Sequence, residues 1–223
     1  MSRLGAIRAM LFVLDGTLID SAPDLGAAAD KLRVARGLSP LGPVAYRHMA
    51  GAGARGMLQV AFGIGPDAES YESLKNEFLA NYARALLVHT RAFDGVAELL
   101  AALEARSLVW GIVTNKAERF ALPLVQAMPL LSGAQVVIGG DTTAHSKPHP
   151  APLLEAARRL GLGAELCMYV GDDERDIVAG HAAGMVTVSA NYGYLGEKLD
   201  TSHWGAAHAI ENPADLLKLL DSP

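Results

Sequence analysis

The chain is poor in cysteine, in long apolar runs and in charge. Its single cysteine, Cys167, excludes an internal disulfide. That residue sits in an apolar run, so it reads as a buried thiol rather than a nucleophile. No stretch reaches eighteen consecutive apolar residues, which leaves no ordinary membrane-spanning helix. Met1 to Arg8 lack the apolar core of a signal peptide, and a cytoplasmic protein with no membrane partner is expected. Charged residues make up only 19%, and 19 basic against 24 acidic side chains leave a net charge of −5. No cluster of Lys and Arg marks a nucleic-acid surface. His145, His149 and His181 lack the spacing of a zinc site and read as surface residues. What the chain does have is apolar mass: 51% of 223 residues, enough for one sizeable core, or a core with a small insert.

Five short apolar runs read as buried strands: Ala9–Leu14, Leu108–Val113, Gln135–Ile138, Leu166–Val170 and Met185–Ser189. Their apolarity is continuous rather than alternating, which implies cover on both faces and a parallel sheet. Helical patterns lie between the later runs, over Val96–Ala105, Ala117–Met128, Pro150–Leu160 and Asp176–Ala183. The alternation predicts a doubly wound α/β fold with a Rossmann-like core. It breaks after Leu18. About seventy residues follow that fit helices only. Pro23–Arg36 opens after Ser21 as a cap and stops at Gly37, a short helix lies around Val44–Met49, another over Arg55–Phe62, and Glu69–Val88 is the longest. The expected organisation is an α/β core over 1–18 and 89–223, with a helical insert over 19–88.

Polar groups stand just past the strand ends. Asp15 follows the first strand, Thr114-Asn115-Lys116 the second, Ser146-Lys147-Pro148 lies beyond the third, and Gly171-Asp172-Asp173-Glu174-Arg175-Asp176 follows the fourth. Open parallel sheets bind ligands outside these ends. The residue types suit phosphoryl transfer, which needs a cation and donors around the equatorial oxygens. Asp15 and Asp172 are hard donors suited to Mg²⁺, with Asp173 and Asp176 able to orient its shell. Lys147 offers a point charge to phosphate, and Thr114 and Asn115 offer hydrogen bonds. Singly, each has a plainer reading: Asp-Gly-Thr as a turn, Asp172 to Asp176 as a helix cap, Lys147 as a loop lysine. Their joint register at strand ends outweighs those readings.

The chain resembles the haloacid dehalogenase superfamily, in its phosphoglycolate phosphatase-like branch with a helical cap. The resemblance runs essentially end to end. It is carried by Leu14-Asp15-Gly16-Thr17-Leu18, Phe93-Asp94-Gly95-Val96, Gly111-Ile112-Val113-Thr114-Asn115-Lys116, Ser146-Lys147-Pro148, Val170-Gly171-Asp172-Asp173-Glu174-Arg175-Asp176-Ile177 and Ala182-Ala183-Gly184-Met185. Gly53-Ala54-Arg55, Trp110-Gly111, Tyr192-Gly193-Tyr194 and Trp204-Gly205-Ala206 resemble a proteobacterial subgroup that includes N-acetylmuramic acid 6-phosphate phosphatases.

The resemblance implies a Mg²⁺-dependent phosphomonoesterase that acts on a small phosphorylated metabolite through an aspartyl-phosphate. Asp15 then protonates the leaving alcohol and later deprotonates the attacking water. Lys147 steadies nucleophile and phosphate, while Thr114 and Asn115 hold phosphoryl oxygens and Thr17 lies in the substrate-binding set. Asp172 and the carbonyl of Asp15 ligate Mg²⁺, supported by Asp173 and Asp176. Arg55, on a cap loop facing the core, is the expected contact for a substrate anion or sugar. The departure is at position 13. The family places its nucleophilic Asp there, two residues before the residue matched by Asp15, and this chain has Val13. Asp15 differs in role and direction and is no ready substitute, so the chain is expected to be inactive as written. Retention of every other motif favours a single substitution in an otherwise ordinary phosphatase. A phosphometabolite-binding pseudoenzyme and a phosphomutase remain as alternatives.

Overall fold

The computed structural model describes residues 3–196 and 200–221. In chain order it runs β1 (Ala9–Phe12), β2 (Ile19–Asp20), α1 (Ala22–Ala35), α2 (Pro43–Tyr46), α3 (Gly53–Phe62), α4 (Tyr71–Ala83) and β3 (Arg91–Ala92). It continues through α5 (Val96–Ala105), β4 (Val109–Val113), α6 (Glu118–Ala127), β5 (Val137–Ile138), α7 (Ala151–Leu160), β6 (Cys167–Gly171), α8 (Glu174–Ala183), β7 (Val186–Ala190), β8 (His208–Ile210) and α9 (Pro213–Leu220). Six strands form one sheet in the order β5-β4-β1-β6-β7-β8, every pairing parallel. This is the doubly wound α/β core the strand–helix alternation implies. β1 lies between β4 and β6, so the strand order reverses beside it and opens a crevice at its carboxyl end.

The apolar runs are continuous because each strand is covered twice. Along β1 the side chains alternate. Met10 and Phe12 pack with Val96, Leu100 and Leu103 of α5 and Leu124 of α6. Ala9 and Leu11, with Val13 just beyond, face Leu153 and Ala156 of α7 and Ala179 of α8. Fully burying one such leucine, isoleucine or phenylalanine is worth about 1.5–3 kcal/mol, so both faces are strongly held. Cys167 is fully buried here. Burial, then the charge of Glu165, pushes its thiol up to about 11. Iodoacetamide at pH 8 is therefore expected to label only the unfolded chain, and rapid labelling of the native protein would contradict this placement.

Helices α1–α4 pack around their own apolar cluster, which includes Leu25, Ala29, Leu32, Tyr46, Met57, Leu58, Leu74 and Phe78. The chain enters and leaves this helical segment through the short antiparallel pair β2–β3. Asp24, 2% exposed in the first turn of α1, ties the return crossing to the outgoing one. Its carboxylate accepts the main-chain N–H groups of Val88, His89 and Thr90 and the Thr90 hydroxyl. Asp24→Ala leaves these donors without their acceptor and is expected to cost on the order of 3 kcal/mol in denaturant unfolding. A cost under about 1 kcal/mol would contradict the anchoring role.

Several local expectations change. The helix expected over Glu69–Val88 stops at Ala83; the chain turns there, with the Ala85 N–H on the Tyr82 carbonyl, and the N–H groups of residues 88–90 go to Asp24 instead of to further helix. Ser21 makes no cap bond to α1; its hydroxyl donates to Asp15 instead. β8 and α9 were not anticipated. The expected strand over Gln135–Ile138 is classed as strand only at Val137 and Ile138. Its main-chain bonds nevertheless start earlier, from Gln135 to Trp110 and from Ile112 to Val136. Among the described residues no helix is long and apolar enough to cross a membrane.

Candidate active site

The carboxyl ends of β1, β4 and β6, with the loop after β5, converge on a cavity of about 380 Å³. The main chain continues the sheet into it: the Val13 N–H donates to the Val170 carbonyl at 3.0 Å. The Val13 side chain is 6% exposed. It packs in the cluster of Leu11, Val113 and Tyr169 and also edges the cavity. Gly16 then turns the chain with φ +86°, and a Cβ there would lie 2.0 Å from a carboxylate oxygen of Asp172. Only glycine allows both that conformation and that approach.

Asp15, two residues on from Val13, is almost enclosed. One carboxylate oxygen accepts from the Ser21 hydroxyl and from Lys116 Nζ, the latter at 2.9 Å. Lys116 also lies over the Tyr82 ring, 4.8 Å from its centroid. Burial by itself lowers an ammonium, but the charge of Asp15 and the Tyr82 phenol reverse this and hold Lys116 above its ordinary range. It stays protonated.

At the end of β4 the Thr114 N–H donates to Ile138, and its hydroxyl accepts the Lys116 N–H at 3.1 Å. Asn115 clamps the loop after β5. Its amide donates to the Lys147 carbonyl at 2.9 Å and accepts the Lys147 N–H at 3.0 Å, so both ends of this side chain are already engaged. Lys147 is 4% exposed. Its Nζ donates to Asp176 at 2.7 Å, the Tyr169 hydroxyl at 2.7 Å and the Val113 carbonyl at 3.2 Å. Tyr169 itself donates to that carbonyl at 2.9 Å.

The acidic run after β6 divides its labour. Asp172 accepts from the Thr17 hydroxyl and the Tyr194 N–H, each at 3.0 Å. Burial, then the charge of Asp176, raises it to about 7, against the pull of those two donors. Asp173 caps α8 in a reciprocal capping box with Asp176, so the plainer reading of this run also holds. Asp173 is paired with Arg175, whose guanidinium reaches across to the Gly51 carbonyl at 3.0 Å. Burial raises the Asp173 carboxyl and Arg175 outweighs it, leaving a net lowering.

The donors suit Mg²⁺ in kind, since hard cations take carboxylate and carbonyl oxygens, but not in number. Asp176 is committed to Lys147 and to the Asp173 N–H, Asp173 to Arg175, and position 13 offers methyl groups. Among the described residues no group of three or more His, Cys, Asp or Glu is arranged to hold a metal. As it stands the set is one carboxylate short and does not fit the ion.

Of the residues singled out from sequence, Val13, Asp15, Thr114, Asn115, Lys147, Asp172, Asp173 and Asp176 line the one cavity. Thr17 does not line it and stands behind Asp172. Arg55 is on α3, exposed, and lines an adjoining cavity of about 470 Å³ with His48, Gln59 and Trp204. Sequence reasoning assigned no role to Lys116 or Tyr169 and read Ser21 only as a helix cap. Lys116 had a visible signal, its place next to Thr114-Asn115. Tyr169 had only its position three residues before Asp172, inside an apolar strand.

The sequence model of haloacid dehalogenase-like hydrolases matches residues 10–190. The chain is 40% identical to the N-acetylmuramic acid 6-phosphate phosphatase of Pseudomonas aeruginosa, over 96% of this chain and 95% of that one. It is 47% identical to a phosphoglycolate phosphatase of Xanthomonas campestris pv. campestris, over 94% of each. The fold matches the crystal structure of a predicted phosphoglycolate phosphatase from Haemophilus somnus with a TM-score of 0.84 and 27% identity, covering 96% of this chain and 98% of that one.

Proposed function

The chain belongs to the haloacid dehalogenase-like hydrolases, and from that premise we propose that its cavity is a phosphomonoesterase site for a small phosphorylated metabolite, halted in this chain at Val13. The observation that carries the reading is the convergence of Asp15, Thr114, Lys147 and Asp172 from separate strand ends onto one cavity. Lys147 brings positive charge and Thr114 a hydroxyl to the place where phosphoryl oxygens gather. Asp15, oriented by Ser21 and Lys116, is the proton carrier for the leaving oxygen and for water. Residues 19–88 form the cap over a core of residues 1–18 and 89–223.

Val13 supplies neither an attacking oxygen nor a metal ligand. Asp15 is held by Lys116 and Ser21 and does not take its place. Mg²⁺ dependence belongs to the site with a carboxylate at position 13, which would join Asp172 and the Asp15 carbonyl. The substrates we propose are those in the relatives' names, phosphoglycolate or N-acetylmuramic acid 6-phosphate. The cavity keeps its cation and hydroxyl donors without a nucleophile, so phosphate binding persists without turnover. The test is phosphate release from a panel of monoesters with Mg²⁺. The unaltered chain should release none above background, and Val13→Asp should hydrolyse at least one. Failure of Val13→Asp across the whole panel would refute the reading.

A further inference from the structure

We propose that the outer face of α1 and α2 is a self-association surface, on which a second copy of this chain docks about a twofold axis. The inference goes beyond the phosphomonoesterase reading and does not rest on it: the groove on this face, of about 750 Å³, shares no lining residue with the cavity that holds Asp15. Pro23, Ala27 and Val34 of α1 line the groove, with Pro43 of α2 and His89. A surface helix buries one apolar stripe and presents polar residues outward. α1 has a second apolar stripe instead. Leu25, Ala28, Ala29 and Leu32 are buried against the other helices of the segment, while Pro23, Ala27, Asp30 and Val34, spaced four, three and four residues apart, line the groove. Of the eight large apolar side chains exposed among the described residues, five lie in this helical segment, and Val44 is 85% exposed. Val34 lines the groove, and Leu41, Val44 and Val88 stand within two positions of Pro43 or His89. Valine is a poorer helix former than lysine, glutamine or glutamate, so helix formation does not explain Val34 or Val44. Contiguous exposed apolar surface of this kind marks a place where another surface docks.

The charges in the groove select the occupant. Asp30 accepts the Leu41 N–H at 2.9 Å, the Gly42 N–H at 2.9 Å and the Tyr46 hydroxyl at 2.7 Å, all neutral donors. Two of these bonds fall on Oδ1, so Oδ2 can accept one more. Lys31, next along α1 and also in the groove, makes no ion pair among the described residues. An anion and a cation side by side, each without a counter-charge, are complementary to the same pair turned through a half rotation, which is the requirement of a twofold interface. A twofold axis between Ala27 and Asp30 sets two α1 helices antiparallel. It places Pro23 opposite the second copy's Val34 and Lys31 about one helical turn from the second copy's Asp30, within reach of its long side chain. Ala27, small and exposed, lets the two helices approach closely where they cross. An anionic membrane or a nucleic acid would meet Asp30 with like charge, and an apolar small molecule would leave both charges unmatched.

The test is sedimentation equilibrium of the unaltered chain, of Val34→Glu and Lys31→Glu, and of Leu154→Glu as a control at an exposed apolar residue of α7. All three positions are exposed, so each variant should fold, which circular dichroism checks. The unaltered chain should be a dimer at about 100 µM, and Leu154→Glu should match it. Val34→Glu, which puts a charge into the apolar face, is expected to weaken the dimer at least about tenfold. Lys31→Glu, which sets like charges together, is expected to weaken it about fivefold, with the loss shrinking in high salt. A monomer at that concentration overturns the proposal and leaves the groove to a different partner. A dimer unweakened in either groove variant also overturns it, by placing the interface elsewhere. Neither result bears on the phosphatase reading, which phosphate release tests separately.

Discussion

Val13→Asp is expected to raise the rate of phosphate release by on the order of a millionfold, since loss of a nucleophile in an otherwise intact site costs about that much. The surroundings of position 13 favour recovery. The residue sits at the end of β1 with its N–H bonded to Val170, so its backbone is fixed by the sheet rather than by the side chain. Its side chain already reaches the cavity that holds Asp15, Thr114, Lys147 and Asp172. Aspartate is close to valine in size, so the cluster of Leu11, Val113 and Tyr169 need not repack. The new carboxylate would lie in the same cavity as the cationic Lys147 and would add the hard donor that the Mg²⁺ set lacks. Mg²⁺ affinity should therefore rise with activity. Titration of both proteins with Mg²⁺ checks this, and equal affinities would show that position 13 is not a ligand position.

Lys147→Met is expected to destabilise the fold by about 3–5 kcal/mol, the usual cost of removing one partner of a buried ion pair. Lys147 and Asp176 are 3% and 4% exposed at their side chains and meet at 2.7 Å. The loss comes mainly from the charge left behind. Asp176 would remain buried near Asp172 with no cation on its Oδ1, and the Tyr169 hydroxyl and Val113 carbonyl would lose a donor. Combining Lys147→Met with Asp176→Asn removes the stranded charge and keeps an oxygen to accept the Asp173 N–H of the capping box. That double variant should recover at least half of the loss in denaturant unfolding. A Lys147→Met cost below about 1 kcal/mol, or no recovery in the double variant, would mean that Lys147 is not held as a buried charge.

Most of the core was legible because its signals are local. α5 lies where its apolar spacing placed it, at Val96–Ala105, and the long strands are continuous apolar runs because both faces of the sheet are covered. β8 escaped because it is a three-residue edge strand, His208-Ala209-Ile210, with only Ile210 buried. The end of α4 was overextended, and the contacts that hold residues 88–90 out of helix come from Asp24, 64 to 66 residues away. The site divides the same way. Asp15, Thr114 and Asp172 each follow closely on a strand end, and strand ends can be read from composition; Lys147 lies further out, in the loop between β5 and α7. The pairing of Lys116 with Asp15 spans 101 residues, and that of Lys147 with Tyr169 spans 22. No periodicity encodes such distances. The Asn115 amide was expected on phosphate and is spent on the main chain of Lys147, a choice fixed by loop geometry that residue type does not reveal.

The most direct measurement is acid-quench peptide mapping of both proteins after incubation with Mg²⁺ and a monoester that Val13→Asp turns over. The expected result is a phosphoryl group on position 13 of the Val13→Asp protein and on no residue of the unaltered chain, which also releases no phosphate. Phosphate release by the unaltered chain, or a phosphoryl group on Asp15 in either protein, would contradict the account.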